Sequence, residues 1–350
     1  MAAREQKTED RWRKAGMLSQ PCRVFMQHAP RGGGQQSVFC SRSVERGFSL
    51  IEMMISVTIG LMIVAALVGV LAGNSRSTKS NDRTSELQSN GRYALDHLKR
   101  ELRHAGYRGY TWAEPNAPTQ AIAVGNECLG AGAAADTFVQ NIRQGIWGAN
   151  DGNPYSASCL PAAQYLRGDV LVIRRADSAT VAALSANTLY LRSTYSAGEV
   201  FQGAVAPTIT GAPLADFALK EYVYYVGSDD SNAALPALRR VSLQDNAMVD
   251  EMVVSGVEHI QVQYGRLDTA SNTQYANANS ISGTSTDSPA TLSSYAWDEV
   301  NSARIWLLAR TAQPEPGYAN TSTYTMGDVA YPVNDSFRRQ LFTAVVQLRN

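Results

Sequence analysis

Arg46-Gly47-Phe48-Ser49-Leu50-Ile51-Glu52 leads into twenty residues, Met53 to Ala72, that carry no charge. A polar, basic segment stops at a glycine, and an apolar run begins at Phe48 with Glu52 as its only charge. At about 1.5 Å per residue, twenty helical residues reach about 30 Å, the depth of a bilayer's hydrocarbon core. A secretory signal would have a shorter apolar stretch followed by a small-residue cleavage site. Here the glycine precedes the run, so cleavage there would leave the run on the mature chain. An ordinary single-pass anchor has no need of a glutamate near its start, where a charge in lipid is costly.

The glycine, the phenylalanine and the glutamate at the fifth apolar position resemble the prepilin processing site of type IV pilins and type II secretion pseudopilins. The resemblance implies that a membrane peptidase cuts between Gly47 and Phe48 and N-methylates Phe48. It also places Glu52 at the pilin glutamate, which acts in assembly.

Charge is distributed unevenly. Residues 1–47 hold nine Lys/Arg and four Asp/Glu, a net of +5, whereas the other 303 hold 22 and 27, a net of −5. Excess positive charge before a membrane helix favours keeping that side cytoplasmic. The expectation is a single pass through the bacterial inner membrane with a periplasmic carboxy-terminal domain. An acidic mature chain also lacks the basic footprint of a nucleic-acid binder. The leader, residues 1–47, has no apolar periodicity over 1–40 and contains the loop-like Arg31-Gly32-Gly33-Gly34. It reads either as a long cytoplasmic leader or as a chain whose translation starts at Met17 or Met26.

Cys22 and Cys40 leave with the leader. Cys128 and Cys159 remain, an even pair in a chain bound for an oxidising compartment, and a disulfide is expected over two buried thiols. It would close a loop of 32 residues, which by chain entropy contributes about 3.7 kcal/mol.

No proline occurs between Phe48 and Glu114. Past a polar stretch, Leu87, Ala94, Leu95, Leu98, Leu102 and Ala105 recur at helical spacing, and Gly106 is a natural stop. One helix over 48–105 is expected, membrane-spanning at about 50–72. Residues 106–350 read as a β-rich head, with strands at Asp169–Arg175, Thr188–Arg192, Lys220–Val226, Leu238–Leu243, Val257–Tyr264, Ala303–Arg310 and Arg339–Leu348. In the fifth of these, Ile260, Val262 and Tyr264 alternate with glutamines, as in a half-buried strand. No helical pattern separates the strands consistently, so an antiparallel sheet is expected rather than βαβ units. Residues 110–165 and 268–296 read as loops, and 311–335 as irregular. The fold class is α+β: a long amino-terminal helix packed on a carboxy-terminal antiparallel sheet domain.

Several segments resemble PilW-type minor pilins. They are Glu86-Leu87-Gln88-Ser89-Asn90-Gly91-Arg92-Tyr93-Ala94-Leu95 with its continuation to Gly109, then Gly168-Asp169-Val170-Leu171-Val172-Ile173-Arg174-Arg175. Trp297-Asp298, Arg304-Ile305-Trp306-Leu307-Leu308-Ala309-Arg310 and the closing run Arg338–Asn350 complete the set. The resemblance implies a protein that helps initiate a type IV pilus and joins its tip complex. Its partners would be other minor pilins, the major pilin, the prepilin peptidase and a tip adhesin, in service of adhesion and twitching motility. A secretion pseudopilin is the neighbouring alternative, although a mature chain of 303 residues is large for one. A membrane-tethered periplasmic binding protein or enzyme is the alternative of another class.

Chemical constellations are missing. The four histidines, His28, His97, His104 and His259, show no metal-ligand spacing such as H-E-x-x-H. His259 is expected to face away from the Ile260 side of its strand. Gly130-Ala131-Gly132-Ala133-Ala134-Ala135 matches a dinucleotide turn only loosely, without a strand before it, and reads as a flexible loop. Arg174-Arg175, Arg239-Arg240 and Arg338-Arg339 read as strand-edge charges, and Asp229-Asp230 as a turn. No catalytic residue, cofactor or metal is expected.

Overall fold

The computed structural model describes residues 47–130, 132–135, 137–268, 270–281 and 297–348. Residues 1–46 of the leader, with Cys22, Cys40 and His28, lie outside them, as do residues 282–296 of the expected loop at 268–296. The chain divides into two units, Met1–Ala65 and Ala66–Asn350.

Helix α1, Leu50–His104, belongs to both units. In the first, apolar side chains from Phe48 to Val64 are exposed, Phe48 at 80%. The run is long and apolar enough to cross a membrane. In the second, α1 buries Leu87, Gly91, Ala94, Leu98 and Leu102, a stripe stepping by fours and threes that meets the sheets. Leu98 and Leu102 are fully buried, and truncating either to alanine would cost about 2–5 kcal/mol. The helix stops where Gly106 takes φ +78°, a left-handed conformation cheap only for glycine. The Gly106 N–H then donates to the Arg174 carbonyl at 2.9 Å, tying the helix end to a strand.

The remaining elements follow in order: α2 Thr137–Gln140, β1 Ile146–Ala149, β2 Arg167–Thr180, β3 Leu189–Ser193, β4 Gly198–Gln202, β5 Ala215–Ser228, β6 Pro236–Gln244, β7 Ala247–Ser255, β8 Val257–Leu267, β9 Thr273–Asn277, β10 Val300–Arg310, β11 Thr323–Met326, β12 Val329–Pro332 and β13 Arg339–Gln347. All strand pairs are antiparallel. The larger sheet runs β1-β2-β5-β3-β4, with β6 and then β7 added beside the second half of β5. The second sheet runs β13-β10-β8-β9, and β11–β12 is a separate hairpin.

The structure corrects several expectations. Residues 110–165 are not one loop: they contain α2 and β1. Within 268–296, Thr273–Asn277 form β9 on the edge of β8, and within 311–335 lie β11 and β12. Strand β8 is buried on both faces rather than one, His259 and Gln261 included. The α1 stripe lies against one side of the sheets through Phe342, while the β11–β12 turn covers the other beside Trp306 and Gln263. Asp169 joins the two sheets. Its carboxylate accepts the Asp151 N–H at 3.0 Å and the Val262 N–H of β8 at 2.7 Å.

Candidate assembly site

Gly47, Phe48 and Ser49 precede the helix in non-helical, exposed backbone. The first turn then organises around Glu52. Its Oε2 accepts the Ser49 N–H at 3.0 Å, and the Ser49 carbonyl accepts the Met53 N–H at 3.1 Å. This is the glutamate arm of a capping box: the carboxylate at the third helical position satisfies a donor the helix cannot. It also places negative charge at the positive end of the helix dipole. Phe48, the residue after the expected cut, is adjacent in sequence to the donor that Glu52 already engages. Around the site, Leu50, Ile51, Met53 and Met54 are all exposed, so the carboxylate sits in a largely apolar surface.

The second expected pair lies in the head. Cys128 and Cys159 form a disulfide with Cα atoms 4.7 Å apart. It fastens a folded segment rather than an open loop. Phe138, Ile142 and Tyr155 between the cysteines are fully buried. Glu127 Oε1 accepts the Phe138 and Val139 N–H groups at 2.9 and 3.1 Å. Ser158 Oγ donates to the Leu129 carbonyl at 2.8 Å. Ala131, in the middle of the glycine-alanine run, lies outside the described residues.

The paired arginines are not free edge charges. Arg174 is fully buried, donating to the Phe138 and Gln144 carbonyls at 3.0 and 3.2 Å with its guanidinium 4.1 Å from the Phe138 ring centre. Arg175 pairs with Glu101 of α1 at 2.9 Å. Arg239 and Arg240 of β6 pair with Asp250 and Glu251 of β7 at 2.7 and 2.6 Å. Arg339 is almost fully buried between Glu258 and Asp335, and Arg338 pairs with Glu315. Asp229 folds into the expected turn, its Oδ1 accepting the Ser231 and Asn232 N–H groups.

Among the described residues two of the three histidines pack against tyrosines. His97 Nε2 lies 3.0 Å from the Tyr224 hydroxyl, and burial lowers its pKa. His104 Nδ1 lies 2.8 Å from the Arg100 carbonyl. His259 is buried beside Tyr331, and burial lowers its pKa too. Among the described residues no group of His, Cys, Asp and Glu is placed to hold a metal ion. Sequence reading missed two polar groups that the core perturbs. Burial pushes the Asp169 carboxyl up to about 7, against the two N–H groups it accepts. Burial also raises Glu221 well above the usual carboxylate range, opposed by Arg174. Both sit in strands whose apolar neighbours dominate the pattern, so nothing marked them except being acidic in an apolar run.

Comparison with known proteins addresses the two ends of the chain. Residues 42–73 match the family model for the prokaryotic N-terminal methylation motif. Residues 223–350 match that for the type IV pilus-assembly protein W, PilW. No curated protein matches the chain. A type IV-like pilin from Thermus thermophilus is similar at 16% identity over 77% of this chain and 95% of that one, with a TM-score of 0.31. The methylation motif lies over Gly47, Phe48 and Glu52, and the other match runs from the middle of β5 through β13. The chain is thus similar over residues 223–350 to the type IV pilus-assembly protein PilW, and over residues 42–73 to the methylation motif that precedes an apolar helix long enough to cross a membrane.

Proposed function

We propose that this chain is a PilW-type minor pilin, that it acts at initiation and in the tip complex of the type IV pilus, and that it does so without catalysis. The observation that carries the reading is the Gly47–Phe48 bond, exposed and non-helical directly before a helix whose first turn holds Glu52. A peptidase at the membrane surface needs an extended segment, and this one is outside the helix that follows. Cleavage removes residues 1–47 and leaves N-methyl-Phe48 as the new terminus. The helix anchors the protein in the inner membrane over about residues 50–72, with the head on the periplasmic side. The net +5 before Phe48 supports that orientation, as does the disulfide, a bond of oxidising compartments. Its partners are the prepilin peptidase, other minor pilins, the major pilin and a tip adhesin. Glu52 docks on a neighbouring pilin helix through that chain's terminal amine.

The test is expression of the full chain with its cognate peptidase. The mature protein should begin with N-methyl-Phe48, Gly47→Leu should keep the leader, and sheared pili should contain the chain at low abundance. Efficient cleavage at another bond, or absence from sheared pili, sinks the proposal.

A further inference from the structure

Strand β13 lies at the edge of the second sheet, paired on one side only, with β10. Which backbone groups it leaves free follows from the register. Arg310 faces Arg339 and Ser302 faces Gln347. Just beyond the two ends, Thr311 N–H donates to the Arg338 carbonyl and Leu348 N–H to the Asn301 carbonyl. Antiparallel residues alternate between bonding their neighbour and pointing away. Even-numbered residues of β13 therefore bond β10. The odd-numbered ones, Leu341, Thr343, Val345 and Gln347, turn their N–H and C=O groups outward. Among the described residues these outward groups have no hydrogen-bond partner.

Among the described residues the other edges of the two larger sheets are managed. Strands β1 and β9 are only four and five residues long. Strand β4 is bridged by Asn116 at Glu199, and its Gln202 side chain accepts the Ala123 N–H. Strand β7 carries Asp250 and Glu251 at its centre and is bridged by Gly125 at Ala247. Exposed edges are normally blunted by such charges, shortness or cover. Strand β13 has nine residues, and from Gln340 to Leu348 there is no proline and no charge. Val345 is 57% exposed on it.

We infer that the outward edge of β13 is a docking site for one extended, uncharged strand from a different polypeptide of the pilus. The inference rests on the assembly reading above. A row of alternating donors and acceptors is satisfied as a set only by another extended backbone. The added strand would carry apolar residues at alternate positions, beside Leu341 and Val345. A second copy of this chain does not fit. Two β13 strands pairing antiparallel are related by a two-fold axis through the sheet. Helix α1 packs on that sheet, so the second copy's helix would run in reverse. Copies anchored in one membrane share a helix direction.

The experiment uses the full-length processed chain, purified alone in detergent or recovered with pilus components from cells. Amide hydrogen exchange is read residue by residue. At Thr343 and Val345 exchange should slow at least about tenfold in the recovered assembly. Two variants act on the edge. Thr343→Pro removes one outward donor and no bond to β10, and Val345→Lys adds an edge charge. Both should keep the Cys128–Cys159 bond and protease resistance, yet be recovered with pilus components at least about tenfold less than the wild type. Leu267→Lys, a charge at an exposed apolar site off this edge, should be recovered normally. If Thr343→Pro does not fold, Val345→Lys decides, since it leaves every backbone group in place. Unchanged exchange, or normal recovery of Val345→Lys, overturns the inference. So does protection that grows with concentration in the chain alone, which would mean self-pairing. Wild-type chain present in pili with an unprotected edge refutes this inference alone, whereas its absence from pili refutes the assembly reading.

Discussion

Gly91 shows how much one side chain can decide. In a bare helix, alanine there would gain about 1 kcal/mol over glycine. In this head a Cβ at position 91 would lie 2.1 Å from the Phe342 ring of β13, far inside contact distance. The ring is buried, so it cannot swing into solvent. Gly91→Ala should therefore destabilise the head by about 1–3 kcal/mol despite its better propensity. Urea denaturation of the full chain in detergent measures the loss, and in a Phe342→Ala background the same Gly91→Ala change should cost less. An increase in stability for Gly91→Ala alone would mean that helix and sheet do not meet there. Asp169 carries a second prediction. With its folded pKa near 7, above its unfolded value, the folded state holds a proton that the unfolded state has released between about pH 4 and 7. Its contribution to stability is full below that window and is lost as pH rises through 7. Asp151 and Asp328 nearby push in the same direction. The wild type should lose about 1–3 kcal/mol more than Asp169→Asn between pH 5 and pH 8. Parallel profiles for the two proteins would show that the carboxyl stays ionised throughout. The glycine stood in the sequence inside the segment that resembles PilW, but the ring it meets did not. The unusual state of Asp169 was not visible there either, because it comes from burial between two sheets, which only the assembled fold supplies.

Among the elements, legibility followed composition. Strands β2, β5, β8, β10 and β13 are runs of Val, Ile, Leu, Tyr and Ala, and each was readable as strand from its residues alone. Strand β7 was not, because Asp250 and Glu251 interrupt it; in the fold they stand opposite Val241 and Arg240 and pair with the arginines of β6. Strand β9 is Thr-Gln-Tyr-Ala-Asn, with no alternation to detect, and it forms because β8 offers an edge. Strand β1 contains Gly148, where a Cβ would lie 2.0 Å from the Tyr264 hydroxyl, so tertiary packing chose a residue that strand propensity disfavours. The cysteine segment is a similar case. Its sequence is rich in Gly, Ala and Asn, yet Phe138, Ile142 and Tyr155 sink into the core and the disulfide closes over them. Replacing both Cys128 and Cys159 with serine should lower stability by about 2–4 kcal/mol. The loss should appear with faster proteolysis between residues 128 and 159, while β8 and β10 stay protected in hydrogen exchange. Uniform loss of protection across both sheets would instead make the disulfide a staple of the whole head.

At the scale of the whole molecule, one chain combines an apolar anchor, a head that buries its own core, and a single carboxylate at the start of the anchor. The sequence displayed that division openly, since twenty uncharged residues and a charge imbalance need no tertiary information. What it could not display is that Glu52 has two possible duties. Within its own chain it accepts the Ser49 N–H and caps the helix. Between chains, as proposed above, it pairs with a neighbour's Phe48 amine, which keeps its positive charge after N-methylation. Glutamine separates the two, because a capping box accepts Glu or Gln while an ion pair requires charge. The cap is worth about 1 kcal/mol. In lipid a charge without a partner is much more expensive, and attraction to an opposite charge is correspondingly stronger, though desolvation offsets part of it. Pairing should therefore outweigh capping in assembly. The expected result is that Glu52→Gln and Glu52→Ala are both cleaved after Gly47 and both remain in the membrane. Both should then be recovered poorly with the other minor pilins and should reduce the count of surface pili to a similar degree, whereas Glu52→Asp should retain part of the activity. If Glu52→Gln assembles like the wild type and only Glu52→Ala fails, the carboxylate serves as a helix cap. If all three assemble normally, packing of the Met53–Ala72 helix carries docking without it.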